Sequence, residues 1–189
     1  TRNFDGTAVV IFQPAEEGGA GGKAMVDDGM MERFGIQEVY GMHNAPGIPV
    51  GQFATRSGPL LAAADFFNIT VEGKGCHAAE PHKGVDTLVV GANILLAFQS
   101  IVARNLDPLK SGVVTVGTFR GGNASNVVPQ KAELVGTVRT LDPAVRDLLQ
   151  KRVTEVAEGI ALSYGAKATV NYQRNYPVTV NHPKETDFA

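Results

Sequence analysis

Two adjacent carboxylates, Glu16 and Glu17, stand in "QPAEEGGAGG" (residues 13–22), directly after the apolar run "TAVVIF" (7–12). Neighbouring residues on irregular backbone can point in different directions. One carboxylate can then hold a metal while the other takes a proton from water, the division of labour that metal-assisted amide hydrolysis needs. Taken alone the pair reads more simply as a solvated acidic turn. The setting is what raises the chemical reading. The run 7–12 is β-branched and aromatic, as in a strand buried on both faces. "KAMVDDGMMERFG" (23–35) has helical character with Gly35 as C-cap, and "QEVYGMHNAPG" (37–47) reads as a second strand leading into a loop. In such a βαβ unit ligand sites collect at the carboxyl edge, where Glu16, Glu17 and His43 would meet.

Three further stretches carry reactive side chains. "GKGCHAAEPH" (73–82) sets Cys76, His77 and His82 among small residues, glycine and proline, as in a loop held for presentation. As a zinc motif it lacks a second half, and Cys76 reads as a buried or incidental thiol. "GGNASNVVP" (121–129) places Asn126 in a turn, where asparagine commonly serves the turn itself. "GTVRTLDP" (136–143) puts Arg139 near a strand end, either as a surface charge or as a fork for a carboxylate.

These residues must be positioned by the elements between them. "DFFNITVEG" alternates, with Phe67, Ile69 and Val71 on one face. A largely buried helix is expected at 86–104, then strands in "SGVVTVGTFRGG" and "KAELVGTVRTLD". An amphipathic helix follows, opened by Asp142 and Pro143 and closed at Gly165, and "KATVNYQ" supplies the last strand. The order β-α-β-β-α-β is that of a ferredoxin-like sandwich. The sequence thus predicts an α/β chain in three parts. Residues 1–62 and 175–189 belong to a parallel-sheet domain, and 63–174 form an inserted ferredoxin-like domain.

Composition narrows the field. The 189 residues are 43% hydrophobic and 19% charged, with a formal net charge of −2, as in a folded globular protein. No basic run or aromatic-basic interleaving points to nucleic acid. The longest apolar stretches carry polar interruptions and read as too short for a bilayer, so no membrane partner is expected. One cysteine excludes an internal disulfide and fits a reducing compartment, so a cytoplasmic location is expected. The opening "TRNFDG", without methionine, and the ending "NHPKETDFA" suggest a piece of a longer protein, so the lack of a targeting signal carries no weight.

Taken in order, "VVIFQPAEEGGAGG", "YGMHNAPG", "GKGCHAAEPHKGVD", "GGNASNVVP" and "GTVRTLDP" resemble the zinc-dependent aminoacylase and carboxypeptidase family of metallopeptidases. The likeness is to its amidohydrolase branch, which includes hippurate hydrolases and auxin-conjugate hydrolases. It implies Glu16 as the general base, and Glu17 and His43 as ligands of one or two divalent ions. Zinc is the first expectation, with manganese, cobalt or nickel as alternatives. His77 would be a lid histidine that reaches a partner subunit's site and steadies the oxyanion. Asn126 and Arg139 would grip the carboxylate end of the substrate. The inserted domain would be the family's lid and dimerisation domain, pairing through a helix and a strand edge into a homodimer.

The resemblance implies hydrolysis of the amide bond of N-acyl amino acids, hippurate-like or carrying other aromatic or indole acyl groups. A deacetylase of N-acetyldiaminopimelate is an alternative within the family, and a non-catalytic dimerisation or ligand-sensing module is one outside it. The family's other metal ligands have no counterpart here, and His182 does not match the last of them. This chain alone is therefore not expected to turn over substrate. Cys76 replaces a common glycine, adding bulk beside His77.

Overall fold

The computed structural model describes residues 5–189. The elements in chain order are helices α1 (Gly21–Asp27) and α2 (Met30–Phe34), strands β1 (Gly58–Leu61), β2 (Ala63–Glu72) and β3 (Cys76–His77), and helix α3 (Thr87–Ser100). They continue with β4 (Gly112–Gly121), β5 (Val127–Val128), β6 (Lys131–Thr140), α4 (Pro143–Ser163), β7 (Lys167–Arg174), β8 (Thr179–Asn181) and α5 (Pro183–Phe188). Two compact units result, one of residues up to Thr55 with Asp187–Ala189, the other Arg56–Thr186.

The larger unit holds a four-stranded antiparallel sheet in the order β4-β6-β2-β7, with α3 and α4 packed against one face. The sequence alternation dictates which side chains face the helices. Phe67, Ile69 and Val71 of β2 are 1% exposed or less, as are Leu134 and Val138 of β6. Helix α3 meets them with Val90, Ile94 and Phe98, and α4 with Val145, Leu149, Val153, Ala157 and Ala161, one residue per turn. Phe67 packs edge-on against Phe98 with centroids 5.7 Å apart. Gly136 makes room for that ring, since a Cβ there would lie 2.2 Å from Phe67 Cζ. Helix α4 begins as its sequence requires, with the Asp142 side chain accepting from Ala144 N–H (2.8 Å) and Pro143 in the first position. Neither α3 nor α4 covers the opposite face of the sheet. It presents Phe66, Asn68, Thr70 and Glu72 from β2, and Glu133, Val135, Thr137 and Arg139 from β6.

The structure departs from the sequence expectations at several points. Beyond α3 the chain continues as a π-turn, Ile101–Asn105, so the helical run Thr87–Asn105 reaches 19 residues with mean hydropathy 1.5. By length and composition it could cross a membrane, contrary to the reading of shorter apolar runs. Val90, Ile94, Phe98 and Ile101 nevertheless pack in the core, as in a core helix. Residues 56–62 and 175–186 group with the larger unit; β1 and β8 pair with each other, Gly58 opposite Asn181, and Ala64 N–H donates to the Tyr176 carbonyl at 3.0 Å.

In the smaller unit the segments expected as adjoining parallel strands, 7–12 and 37–42, have no ladder partner among the described residues. Val10, Phe12 and Met42 are 75%, 86% and 82% exposed. Strand character needs a neighbour to accept its hydrogen bonds, and local sequence supplies none here. The expected helix at 23–35 is broken at Gly29 (φ +80°) into α1 and α2, and Gly35 (φ +61°) caps α2 as expected.

Candidate functional site

The glutamate pair lies on a tight turn rather than a loose hinge. Ala15 accepts from Gly19 N–H at 2.9 Å, closing a turn that contains Glu16, Glu17 and Gly18. The turn is bracketed by two alanines in the left-handed region, Ala15 (φ +50°) and Ala20 (φ +51°). Such residues carry strain of about 1–3 kcal/mol that the surroundings must hold in place, and they cluster at functional sites. Two glycines are sterically obligatory. A Cβ on Gly21 would lie 1.8 Å from the Pro14 carbonyl oxygen, and one on Gly19 would lie 2.5 Å from Ala15 Cβ. Glu16 and Glu17 are both exposed.

His43, also exposed, has its Nδ1–H donating to the Asn44 carbonyl oxygen at 2.6 Å. In the neutral ring that bond puts the proton on Nδ1 and leaves the lone pair on Nε2, the form a metal ligand requires. A carboxylate and a neutral imidazole are donors that suit a divalent ion. They are fewer than the three protein ligands of a catalytic zinc site. Among the described residues no group of three or more His, Cys, Asp and Glu could hold a metal ion.

In the larger unit the structure brings His77 and Asn126 together. The two-residue strands β3 and β5 pair, with Cys76 opposite Val128 and His77 opposite Val127, and Ala78 N–H donates to the Asn126 carbonyl at 3.0 Å. Glycine again permits close approach. A Cβ on Gly84 would lie 2.5 Å from Cys76 Sγ, so the half-buried thiol occupies the space that Gly84 leaves. His77 Nδ1 accepts from Ala79 N–H at 3.1 Å. The ring proton of the neutral form is therefore on Nε2, so exposed His77 presents an N–H donor outward. That is the opposite tautomer to His43, and it suits stabilisation of a developing oxyanion.

Arg139 lies elsewhere. It pairs with Ala64 and Val113 near the far end of β6, eight residues beyond Lys131, or about 26 Å along the strand. Asn126 precedes the other end of β6, so the two residues stand near opposite ends of that strand. The Arg139 guanidinium is held by Nη1, which donates to Thr137 Oγ1, to the Val138 carbonyl (3.1 Å) and to the Asp65 carbonyl (3.4 Å). Its Nε and Nη2 have no partner among the described residues, leaving the edge that binds carboxylates in a two-pronged fashion.

Sequence reading missed the group directly behind Arg139. The Asp65 carboxylate, 1% exposed, accepts from Arg146 Nε (2.9 Å) and Nη2 (2.5 Å), from Tyr172 Oη–H (2.9 Å) and from Asn175 N–H (3.3 Å). Burial alone would raise its carboxyl, but the hydrogen bonds of Arg146 and Tyr172 outweigh that and hold it below the ordinary carboxylate range. The Tyr172 phenol is pushed up, first by burial and then by its bond to Asp65. A signal was available: the β2 alternation places Asp65 on the core face, where a charge must be paired.

The pattern of peptidase family M20/M25/M40 matches residues 1–189. Hippurate hydrolase of Campylobacter jejuni is 38% identical over 189 residues, which cover 100% of this chain and 49% of the relative. N-acetyldiaminopimelate deacetylase of Enterococcus faecalis is 43% identical over 180 residues, 95% of this chain and 48% of the relative. Among solved structures, the YxeP protein of Bacillus subtilis, described as a dinuclear metal binding peptidase of the M20 family, superposes with a TM-score of 0.73. It is 32% identical, with 93% of this chain and 43% of that one covered. The chain spans about half the length of the relatives it matches. Over the whole of its length it belongs to peptidase family M20/M25/M40.

Proposed function

We propose that the protein of which this chain is part hydrolyses the amide bond of N-acyl amino acids, with Glu16 as the general base and Glu17 and His43 among the ligands of one or two divalent ions, zinc first. The observation that carries the reading is the opposed pair of histidine tautomers, a lone pair outward on His43 and an N–H outward on His77. A divalent ion bound by Glu17, His43 and ligands outside this chain would acidify water and polarise the scissile carbonyl. Glu16 takes the proton and returns it to the departing amine nitrogen. His77 Nε2–H, reaching in from the partner copy, donates to the oxygen on which charge develops. Arg139 binds the substrate carboxylate with its free edge. The hippurate hydrolase and N-acetyldiaminopimelate deacetylase among the relatives agree with this substrate class.

The active form would be a homodimer, with residues 63–174 as its lid. Asn126 and Arg139 stand near opposite ends of β6, an arrangement that suits one substrate gripped by residues from two copies. Among the described residues the outer edge of β4 has no partner strand, and the neighbouring face of α3 exposes Val89 (47%) and Leu96 (67%). Edge and helix together offer a two-fold, self-complementary surface.

The test is a full-length Glu16→Ala variant assayed with benzoyl-, indoleacetyl- and acetyl-amino acids. It should keep its metal and lose most turnover. Near-wild-type hydrolysis would refute the assignment.

A further inference from the structure

The face of the sheet that α3 and α4 leave uncovered is mostly polar along β2, where Asn68, Thr70 and Glu72 follow Phe66 at alternate positions. Phe66 is the exception. It is 42% exposed on a central strand, where a packed core would have hidden it. It lies under Arg139, whose guanidinium carbon is 5.4 Å from the ring centroid. The guanidinium is tied down through Nη1 to Thr137, Val138 and Asp65, so ring and cation keep a fixed relation while Nε and Nη2 stay open.

We infer that Phe66 is a specificity-determining residue: a substrate carboxylate on the free edge of Arg139 places the adjoining amino-acid side chain against the Phe66 ring. The inference rests on the carboxylate role proposed above for Arg139. A carboxylate bound to Nε and Nη2 lies in the guanidinium plane, and only Cα separates it from the side chain. The side chain branches at Cα, next to the guanidinium, and the exposed ring lies 5.4 Å from the guanidinium carbon. Aromatic and branched apolar side chains gain contact there, whereas glycine has nothing to place. The preference is for the amino-acid half of the substrate, not the acyl half.

The experiment uses the full-length, metal-loaded protein and one acyl group on glycine, leucine and phenylalanine. Inhibition constants of the free amino acids are measured alongside as an equilibrium readout. Phe66→Ala should lower kcat/KM for the phenylalanine and leucine substrates about ten-fold or more, mainly through KM, with glycine changed less than about three-fold. Inhibition by free phenylalanine should weaken in parallel. Phe66→Leu, which keeps an apolar side chain, should spare the leucine substrate and weaken the phenylalanine one. A uniform fall across the three substrates, or no change, overturns the inference. Arg139→Gln in the same panel separates it from the reading beneath. Loss with every substrate upholds the carboxylate role, so a uniform Phe66→Ala effect then overturns only the specificity claim. An unchanged panel with Arg139→Gln overturns both.

Discussion

Arg146→Met makes the sharpest test of the structure behind Arg139. Asp65 is 1% exposed, and Arg146 supplies both its counter-charge and a two-pronged hydrogen bond. Removing one partner of a buried pair costs about 3–5 kcal/mol, because the remaining charge is left without its counter-ion. Two donors survive the substitution, Tyr172 Oη–H and Asn175 N–H, which favours the lower end, about 3 kcal/mol. For a unit of this size that corresponds to a fall in Tm of about 10 °C. The pH dependence supplies an independent check. In the wild type the depressed Asp65 carboxyl contributes stability above the ordinary carboxylate range, and loses it as pH falls through the depressed value. Without Arg146, burial dominates and the folded carboxyl titrates above its unfolded value. The deficit of the variant is therefore full at neutral pH and shrinks as pH falls below the raised value toward about 4. The assay is urea unfolding followed by far-UV circular dichroism at pH 7 and pH 4.5, since the chain has no tryptophan. A deficit under about 1 kcal/mol at pH 7, or one that stays the same at pH 4.5, would refute the reasoning.

Other predictions concern packing, chemistry and assembly. Gly136→Ala would bring a Cβ within 2.3 Å of the Thr115 carbonyl and 2.2 Å of Phe67, so urea unfolding should show a loss of about 2 kcal/mol or more; a change below about 0.5 would contradict the packing account. In the full-length protein, His77→Ala should lower kcat by about 10²- to 10³-fold with little change in KM, and His77→Gln should recover part of it through its amide N–H. A raised KM with unchanged kcat would assign His77 to binding instead. If the proposed homodimer forms through α3 and the β4 edge, Leu96→Glu, on the exposed side of α3, should leave the fold intact and give a monomer in sedimentation. A dimer that persists would exclude that surface.

The parts legible in the sequence are those whose signal is local. The β2 alternation put Phe67, Ile69 and Val71 in the core, and Asp142-Pro143 marked the start of α4 because cap and first turn are contiguous. The pairings of β1 with β8 and of β3 with β5 escaped notice because strands of two to four residues show no periodicity. Their partners lie up to more than a hundred residues away. In the candidate site, residue types were readable and their states were not. That His43 and His77 present opposite ring nitrogens depends on bonds to Asn44 and Ala79, which only the folded backbone defines. The separation of Asn126 from Arg139 likewise follows from the length of β6, which no local motif announces. An aromatic at position 66, on the polar face of an alternating strand, is itself a legible signal.

The most direct test of the central claim, that a working site joins Glu16 of one chain to His77 of another, is subunit complementation in the full-length protein. Glu16→Ala and His77→Ala homodimers are each assayed alone and then after mixing and re-association. Each hybrid has one site with both residues intact, so random pairing should restore about a quarter of wild-type activity. A mixture no more active than the separate variants would contradict the claim.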